Sequence, residues 1–247
     1  MKKIMLQAAS SLIPQSYKIS LYKFCSKLIS PDTVEALLAL TILEKDYNKK
    51  LHSVKRFSKR EHLWQNLLGE ELKSKQIHYL EFGVWEGYSI HFFSRLNSNS
   101  NSIFMGFDSF IGLPTDWCGN KAGTFSTSGN MPMIKDKRVS FIKGWFQNTL
   151  PENLKTLKEG PKDLIVHFDA DLYSSTIYCL LELDKLKLTY LAIFDEFMGH
   201  ETRAIYNYQQ ISGACVEFTG MTVSAKTNLP NQISCRIIPC KNYSSNM

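Results

Sequence analysis

Five short apolar runs, at residues 77–84, 103–107, 139–142, 164–168 and 190–194, constrain this chain's fold more than any other feature. A strand with one wet face alternates apolar and polar residues. These runs are continuous, which predicts strands covered on both faces. Helical spacing falls between them, near 88–96, 174–186 and 201–210. Strands alternating with helices predict an α/β fold built on a doubly wound, mostly parallel sheet. Two later runs, 215–218 and 233–238, are expected to close the sheet as an antiparallel pair. Residues 97–102, alternating Asn and Ser, read as a polar connection.

Before the first run the pattern differs, and residues 1–75 read as a helical N-terminal region appended to a main domain at 76–247. Tyr17, Leu21, Phe24 and Leu28 stand at helical spacing, with Lys18, Lys23 and Lys27 on other faces. Pro31 suits the first turn of a second helix. Ser58-x-x-Glu61 has the form of a capping box, opening a third helix through Trp64, Leu67 and Leu68. The basic first helix suits peripheral contact with a membrane that displays a lipid-linked substrate, or a packing and dimerisation arm. The second role is preferred, and a homodimer is expected.

With 247 residues, 44% of them hydrophobic, the chain can bury one large core with an appendage. Its net charge of +6 suits an anionic substrate or a membrane surface. No basic stripe with interleaved aromatics occurs, so a nucleic-acid partner is not expected. Cys25, Cys118, Cys179, Cys215, Cys235 and Cys240 form no C-x-x-C pair and no zinc-like spacing with histidine. A reduced, cytoplasmic setting is the expectation. The start, Met1-Lys2-Lys3-Ile4-Met5-Leu6, has the charge of a signal peptide, but Gln7, Ser10, Ser11 and Pro14 break the apolar stretch after it. No run approaches the ~20 apolar residues of a membrane span.

Ligands of open α/β sheets bind beyond the carboxyl ends of the strands, so chemistry is sought there. The first run ends in Glu81-Phe82-Gly83-Val84-Trp85-Glu86-Gly87-Tyr88-Ser89. Glycines at 83 and 87 permit a tight turn and a close ligand. The second run ends in Asp108, an acid placed to accept hydrogen bonds from a ribose diol. The two features together point to an adenosine-type ligand. Further along, the runs end in Asp169-Ala170-Asp171 and Asp195-Glu196. Carboxylates converging from two strand ends repel unless a cation joins them, and an all-oxygen set suits Mg²⁺, with Mn²⁺ or Ca²⁺ as alternatives. Such a cation beside a sulfonium donor would activate an acceptor hydroxyl for methyl transfer. Asp171 or Asp169 is placed to take the proton, and His200 is the rival base.

Residues 79–210 resemble the macrocin O-methyltransferases, class I enzymes that use S-adenosylmethionine to methylate sugars of antibiotics. The resemblance rests on Leu80-Glu81-Phe82-Gly83-Val84, on Gly106-Phe107-Asp108-Ser109-Phe110-Ile111-Gly112-Leu113-Pro114, on Gly144-Trp145-Phe146 with Thr149-Leu150-Pro151, and on Asp169-Ala170-Asp171-Leu172-Tyr173-Ser174-Ser175-Thr176. It implies a Rossmann-like fold and S-adenosylmethionine bound by Glu81, Gly83, Ser89, Asp108 and Ser109. It also implies Mg²⁺ held by Asp169, Asp195 and Glu196, with Asp169 or Asp171 as base. The second acidic pair is often Asp-Asp in the antibiotic enzymes and is Asp195-Glu196 here. The expected acceptor is a hydroxyl on a sugar, whether in a glycosylated natural product or a surface-glycan precursor.

Two other readings compete. Asp169-Ala170-Asp171 is also a D-x-D that a metal-dependent glycosyltransferase would use, although that leaves the glycine turn before Asp108 unexplained. A catalytically silent S-adenosylmethionine-binding module is the other. Residues 115–132 form a glycine-containing loop in which Trp117 and Phe125 are candidates to cover the ligand.

Overall fold

The structure, a computed structural model, describes residues 14–155, 157 and 163–240. The segment weighed above as a signal sequence, Met1 to Leu6, lies outside the described residues. Helix α1 (Gln15–Leu28) buries none of its residues, and Tyr17, Phe24 and Leu28 stand 61–70% exposed. Helix α2 (Pro31–Ile42) begins as expected with Pro31 in its first turn, and Ser30 Oγ accepts the Thr33 N–H at 3.2 Å. A π-helical turn (Leu43–Tyr47) and the short α3 (Asn48–His52) follow.

The N-terminal region is not wholly helical. Strand β1 (Lys55–Phe57) joins the sheet at its edge, three residues too few and too charged to carry a strand signal. Helix α4 (Arg60–Leu72) then buries Trp64, Leu67 and Leu68. The expected capping box does not form. Lys59 occupies the N-cap, and Glu61 instead accepts the Tyr88 hydroxyl at 3.0 Å.

The five apolar runs become β2 (His78–Phe82), β3 (Ile103–Asp108), β4 (Val139–Lys143), β5 (Leu164–Phe168) and β6 (Tyr190–Phe194). Between them lie α5 (Tyr88–Leu96), α6 (Phe146–Lys155) and α7 (Tyr173–Asp184). Helix α6 is unanticipated: Pro151 reads as a breaker, yet Leu150 and Leu154 bury on one face. A second π-helical turn (Phe197–Glu201) leads into α8 (Thr202–Ser212), followed by β7 (Cys215–Val223) and β8 (Pro230–Ile238).

The sheet order is β1-β7-β8-β6-β5-β2-β3-β4. Strands β2 to β6 pair in parallel, and β8 lies antiparallel to both β6 and β7, the closure expected from the sequence. Strands β2 and β5 are buried at every position because helices cover both faces. From β2 the chain first winds outward through β3 and β4, then returns to the other side of β2 as β5. That reversal opens a crevice at the carboxyl ends of β2 and β5. No helix among the described residues is long and apolar enough to cross a membrane.

Candidate active site

The crevice holds a cavity of about 620 Å³, lined at its base by the ends of β2, β3, β5 and β6. It is within the size range of small-molecule sites. Gly83, Asp108, Ser109, Asp169, Asp171, Asp195 and Glu196 all line it. The residues come from four strand ends and meet only because the sheet is parallel there.

Gly83 is required by contact as well as by conformation. Its φ is +91°, and a Cβ at this position would lie 1.8 Å from the Asp169 carbonyl oxygen. Strands β2 and β5 therefore approach so closely at their ends that only glycine fits. Asp108 serves the same turn. Its Oδ2 accepts the N–H groups of Val84 (2.8 Å) and Trp85 (2.9 Å), and its Oδ1 accepts that of Phe110 (2.7 Å). A carboxylate offers about four acceptor directions, so one remains for a ligand hydroxyl rather than the two a diol would fill.

Glu81 and Ser89 do not line the cavity. Glu81 is wholly buried beneath it, accepting Ser89 Oγ–H at 2.9 Å and Tyr79 O–H at 2.5 Å. The Tyr79 oxygen also lies 3.0 Å from His167 Nδ1. Glu81 thus anchors a polar knot inside the core, and through it the first turn of α5 is tied to β2 and β5.

The acidic group is crowded. Burial, and then the Asp195 charge, push the Asp169 carboxyl well above its ordinary value. Burial and the charges of Glu196, Asp195 and Asp108 raise Asp171 to about 7. Burial and Asp195 raise Glu196 as well. Asp195 moves the other way: burial alone would raise it, but the His167 imidazole, the Arg60 charge and the Gln232 amide outweigh burial and hold it below the usual range.

Three residues in this cluster carry no sequence motif. His167, fully buried on β5, has Nε2 3.7 Å from Asp195 Oδ1 and Nδ1 3.7 Å from Glu81 Oε2. Burial opposes its protonation, yet the nearby carboxylates of Asp195 and Glu81 prevail and raise it to about 10. Gln232 donates from Nε2 to Asp195 Oδ1 and accepts Trp64 Nε1–H at 2.5 Å. Glu201 is buried, accepts the Glu196 N–H at 3.0 Å, and is raised by burial and by Asp195 and Asp169. The one available signal was a histidine inside the otherwise apolar run 164–168. Glutamine and glutamate at 232 and 201 gave none.

Ligand atoms of His167, Asp169 and Asp195 lie within 4.8 Å of one another. That spacing, with crowded carboxylates around it, fits a divalent cation. His167 lies buried beside Asp195, its Nε2 without a hydrogen-bond partner. Asp169 and Asp195 reach this group from two strand ends, and Glu196, at the exposed rim, lies outside it.

His200 lies outside the cavity lining. Its Nδ1 accepts the Tyr173 N–H, the first of α7, at 3.0 Å. The neutral ring then carries its proton on Nε2 and has no free basic nitrogen. Burial lowers its pKa further. Asp171, by contrast, caps nothing: the α7 N-cap is Leu172, and Asp171 sits at φ +58° in the cavity wall. In the loop 115–132, Phe125 lines the cavity edge-on to Trp85 at 5.9 Å. Trp117 is buried with Leu113 and Leu172.

A family model described as Macrocin-O-methyltransferase (TylF) matches residues 53–217, well over half of the 247-residue chain. No curated protein sequence matches. Among solved structures, the chain is similar to the apo form of a TDP-rhamnose 3′-O-methyltransferase of calicheamicin biosynthesis, with 18% identity and a TM-score of 0.42 over 84% of this chain and 95% of that one. It is similar also to an O-methyltransferase from Bacillus cereus in complex with SAH, with 13% identity and a TM-score of 0.44 over 89% and 97%.

Proposed function

The chain belongs to the macrocin O-methyltransferase family and is a methyltransferase, and from that premise we propose that it moves the methyl group of S-adenosylmethionine to a sugar or glycan hydroxyl with help from a divalent metal. Family membership selects methyl transfer over the glycosyltransferase reading of Asp169-Ala170-Asp171. One observation carries the finer proposal. A single cavity joins Asp108, the acid at the end of β3, to the four carboxylates at the ends of β5 and β6.

The donor's adenosine end lies against Asp108 and Ser109, with one ribose hydroxyl bonded to the free acceptor direction of Asp108. Gly83 lets the backbone approach the donor's sulfur. Asp169, Asp195 and Glu196 hold Mg²⁺ or Mn²⁺. A bound divalent cation neutralises these acids and lowers the pKa of an acceptor hydroxyl. Asp171 receives that hydroxyl's proton, because its carboxylate projects from the same loop without a capping role. Phe125 and Trp85 cover the reacting groups from water. Methyl transfer needs an in-line approach, so much of the rate comes from this positioning.

Incubation with labelled S-adenosylmethionine and a panel of carbohydrate acceptors, with Mg²⁺ or with excess chelator, tests the proposal. Transfer of label to a hydroxyl, lost with chelator, is the expected result. Binding of a nucleotide sugar without any binding of S-adenosylmethionine would overturn it.

A further inference from the structure

The cavity is lined by five acids, and among the described residues lining it Arg60 carries the only cation. Arg60 opens α4, ahead of the sheet, and nothing in the motifs at the strand ends accounts for it. Its guanidinium lies over the rings of Trp64 at 5.2 Å and Tyr88 at 5.0 Å. Trp64 is buried and tied to Gln232, so one of the two rings is a fixed platform. The acid paired with Arg60, Glu61, has Oε1 3.6 Å from Nε, too long for a hydrogen bond, and that oxygen already accepts Tyr88 O–H. The guanidinium is thus held in place by its faces, and besides the ion pair with Glu61 and its electrostatic pull on Asp195 no protein hydrogen bond to its N–H edge is seen among the described residues. An arginine in that state suits a planar anion, which its fork meets with two parallel bonds.

S-adenosylmethionine carries one such group, the carboxylate of its amino-acid end. Tyr88, beneath the guanidinium, is the first residue of α5 and directly follows the Gly83–Gly87 turn. A ligand with its ribose at Asp108 and its sulfur over Gly83 extends towards that side of the crevice. There it meets Arg60, the one cationic side chain among the described residues that line the cavity. We propose that Arg60 is the specificity-determining residue for the donor's amino-acid carboxylate, seated on Trp64 and Tyr88 so that it reads the far end of the ligand from Asp108. This rests on the reading of the cavity as the S-adenosylmethionine site.

Calorimetry on the full chain tests it with three ligands: S-adenosylhomocysteine, decarboxylated S-adenosylmethionine and methylthioadenosine, which lacks the whole amino-acid end. Arg60→Met should weaken S-adenosylhomocysteine by about 10- to 100-fold, the scale of losing hydrogen bonds to a charged group. It should leave the two ligands without a carboxylate within about twofold, an outcome that general damage to the fold could not give. Arg60→Lys keeps the charge without the fork and should recover part of the loss. Equal losses for all three ligands, or no loss for any, would overturn the proposal. If the unaltered chain binds none of the three, the donor-site reading itself fails and takes this proposal with it. If it binds them and Arg60→Met does not discriminate, only the role of Arg60 fails.

Discussion

Gln232 hydrogen-bonds Asp195: an amide near the end of the chain, on an antiparallel strand, orients a carboxylate at the end of a parallel one. The amide is itself held by Trp64 Nε1–H on α4, so three elements fix one acid. Replacing Gln232 by Leu removes that donor and leaves His167 as the neighbour that restrains Asp195. Loss of such an outer partner costs roughly 10–100-fold in metal affinity or activity. Activity measured against Mg²⁺ concentration should shift to higher metal by that order and recover at saturation. An unchanged metal-activation curve would mean that Asp195 holds no metal.

Asn or Gln at Asp169, Asp195 or Glu196 should lower metal affinity and turnover together, with partial rescue by excess metal. Chelator should abolish activity of the unaltered enzyme, and Mg²⁺ or Mn²⁺ should restore it. Full turnover after verified metal removal would assign these acids another task.

Asp171→Asn should leave metal and donor affinity nearly intact and cut kcat by about 10²–10⁴-fold, the usual worth of a general base. Added metal should not repair it. His200→Ala should instead cost stability, about 1 kcal/mol for the lost bond to the Tyr173 N–H, with a modest effect on kcat. Thermal unfolding and turnover measured on both variants separate the roles. A folded His200→Ala enzyme with no activity, beside an active Asp171→Asn, would transfer the base assignment to His200.

Asp108→Asn should weaken binding of S-adenosylhomocysteine by about 1–3 kcal/mol, since a charged acceptor for a ligand hydroxyl is lost. The new amide N–H₂ also faces one or more of the N–H groups of Val84, Trp85 and Phe110, so the glycine turn should loosen. Calorimetry gives the affinity, and hydrogen exchange at Val84 and Trp85 reads the turn. Unaltered affinity together with slow exchange would remove Asp108 from the donor site.

Much of the fold was written locally. Continuous apolar runs such as 103–107 and 190–194 specify strands because they offer no polar face to water, and the spacing at 88–96 specifies a helix. Where a local signal was false or weak, neighbours decided. Ser58 and Glu61 have the letters of a capping box, yet Tyr88, distant in sequence, takes the Glu61 carboxylate. Strand β1 exists only because the edge of β7 offers it hydrogen bonds. Pro151 lies inside α6, where the burial of Leu150 and Leu154 on one face holds the helix together.

The sequence by itself determined that acids stand at the ends of three of the strands, because a strand's end and the residue that follows it are local facts. It therefore determined that Asp108, Asp169, Asp171, Asp195 and Glu196 share the carboxyl edge of one parallel sheet. Only the tertiary structure decided which side chains serve them. Glu81 and Ser89 turned inward to Tyr79 and His167, while His200 became a cap for α7. Gln232 and Arg60 reached the site from outside the strand-end motifs. The physical reason is that a hydrogen bond or ion pair is set by distance and direction in space, and partners 37 residues apart, as Asp195 and Gln232 are, leave no periodic or compositional trace in the chain.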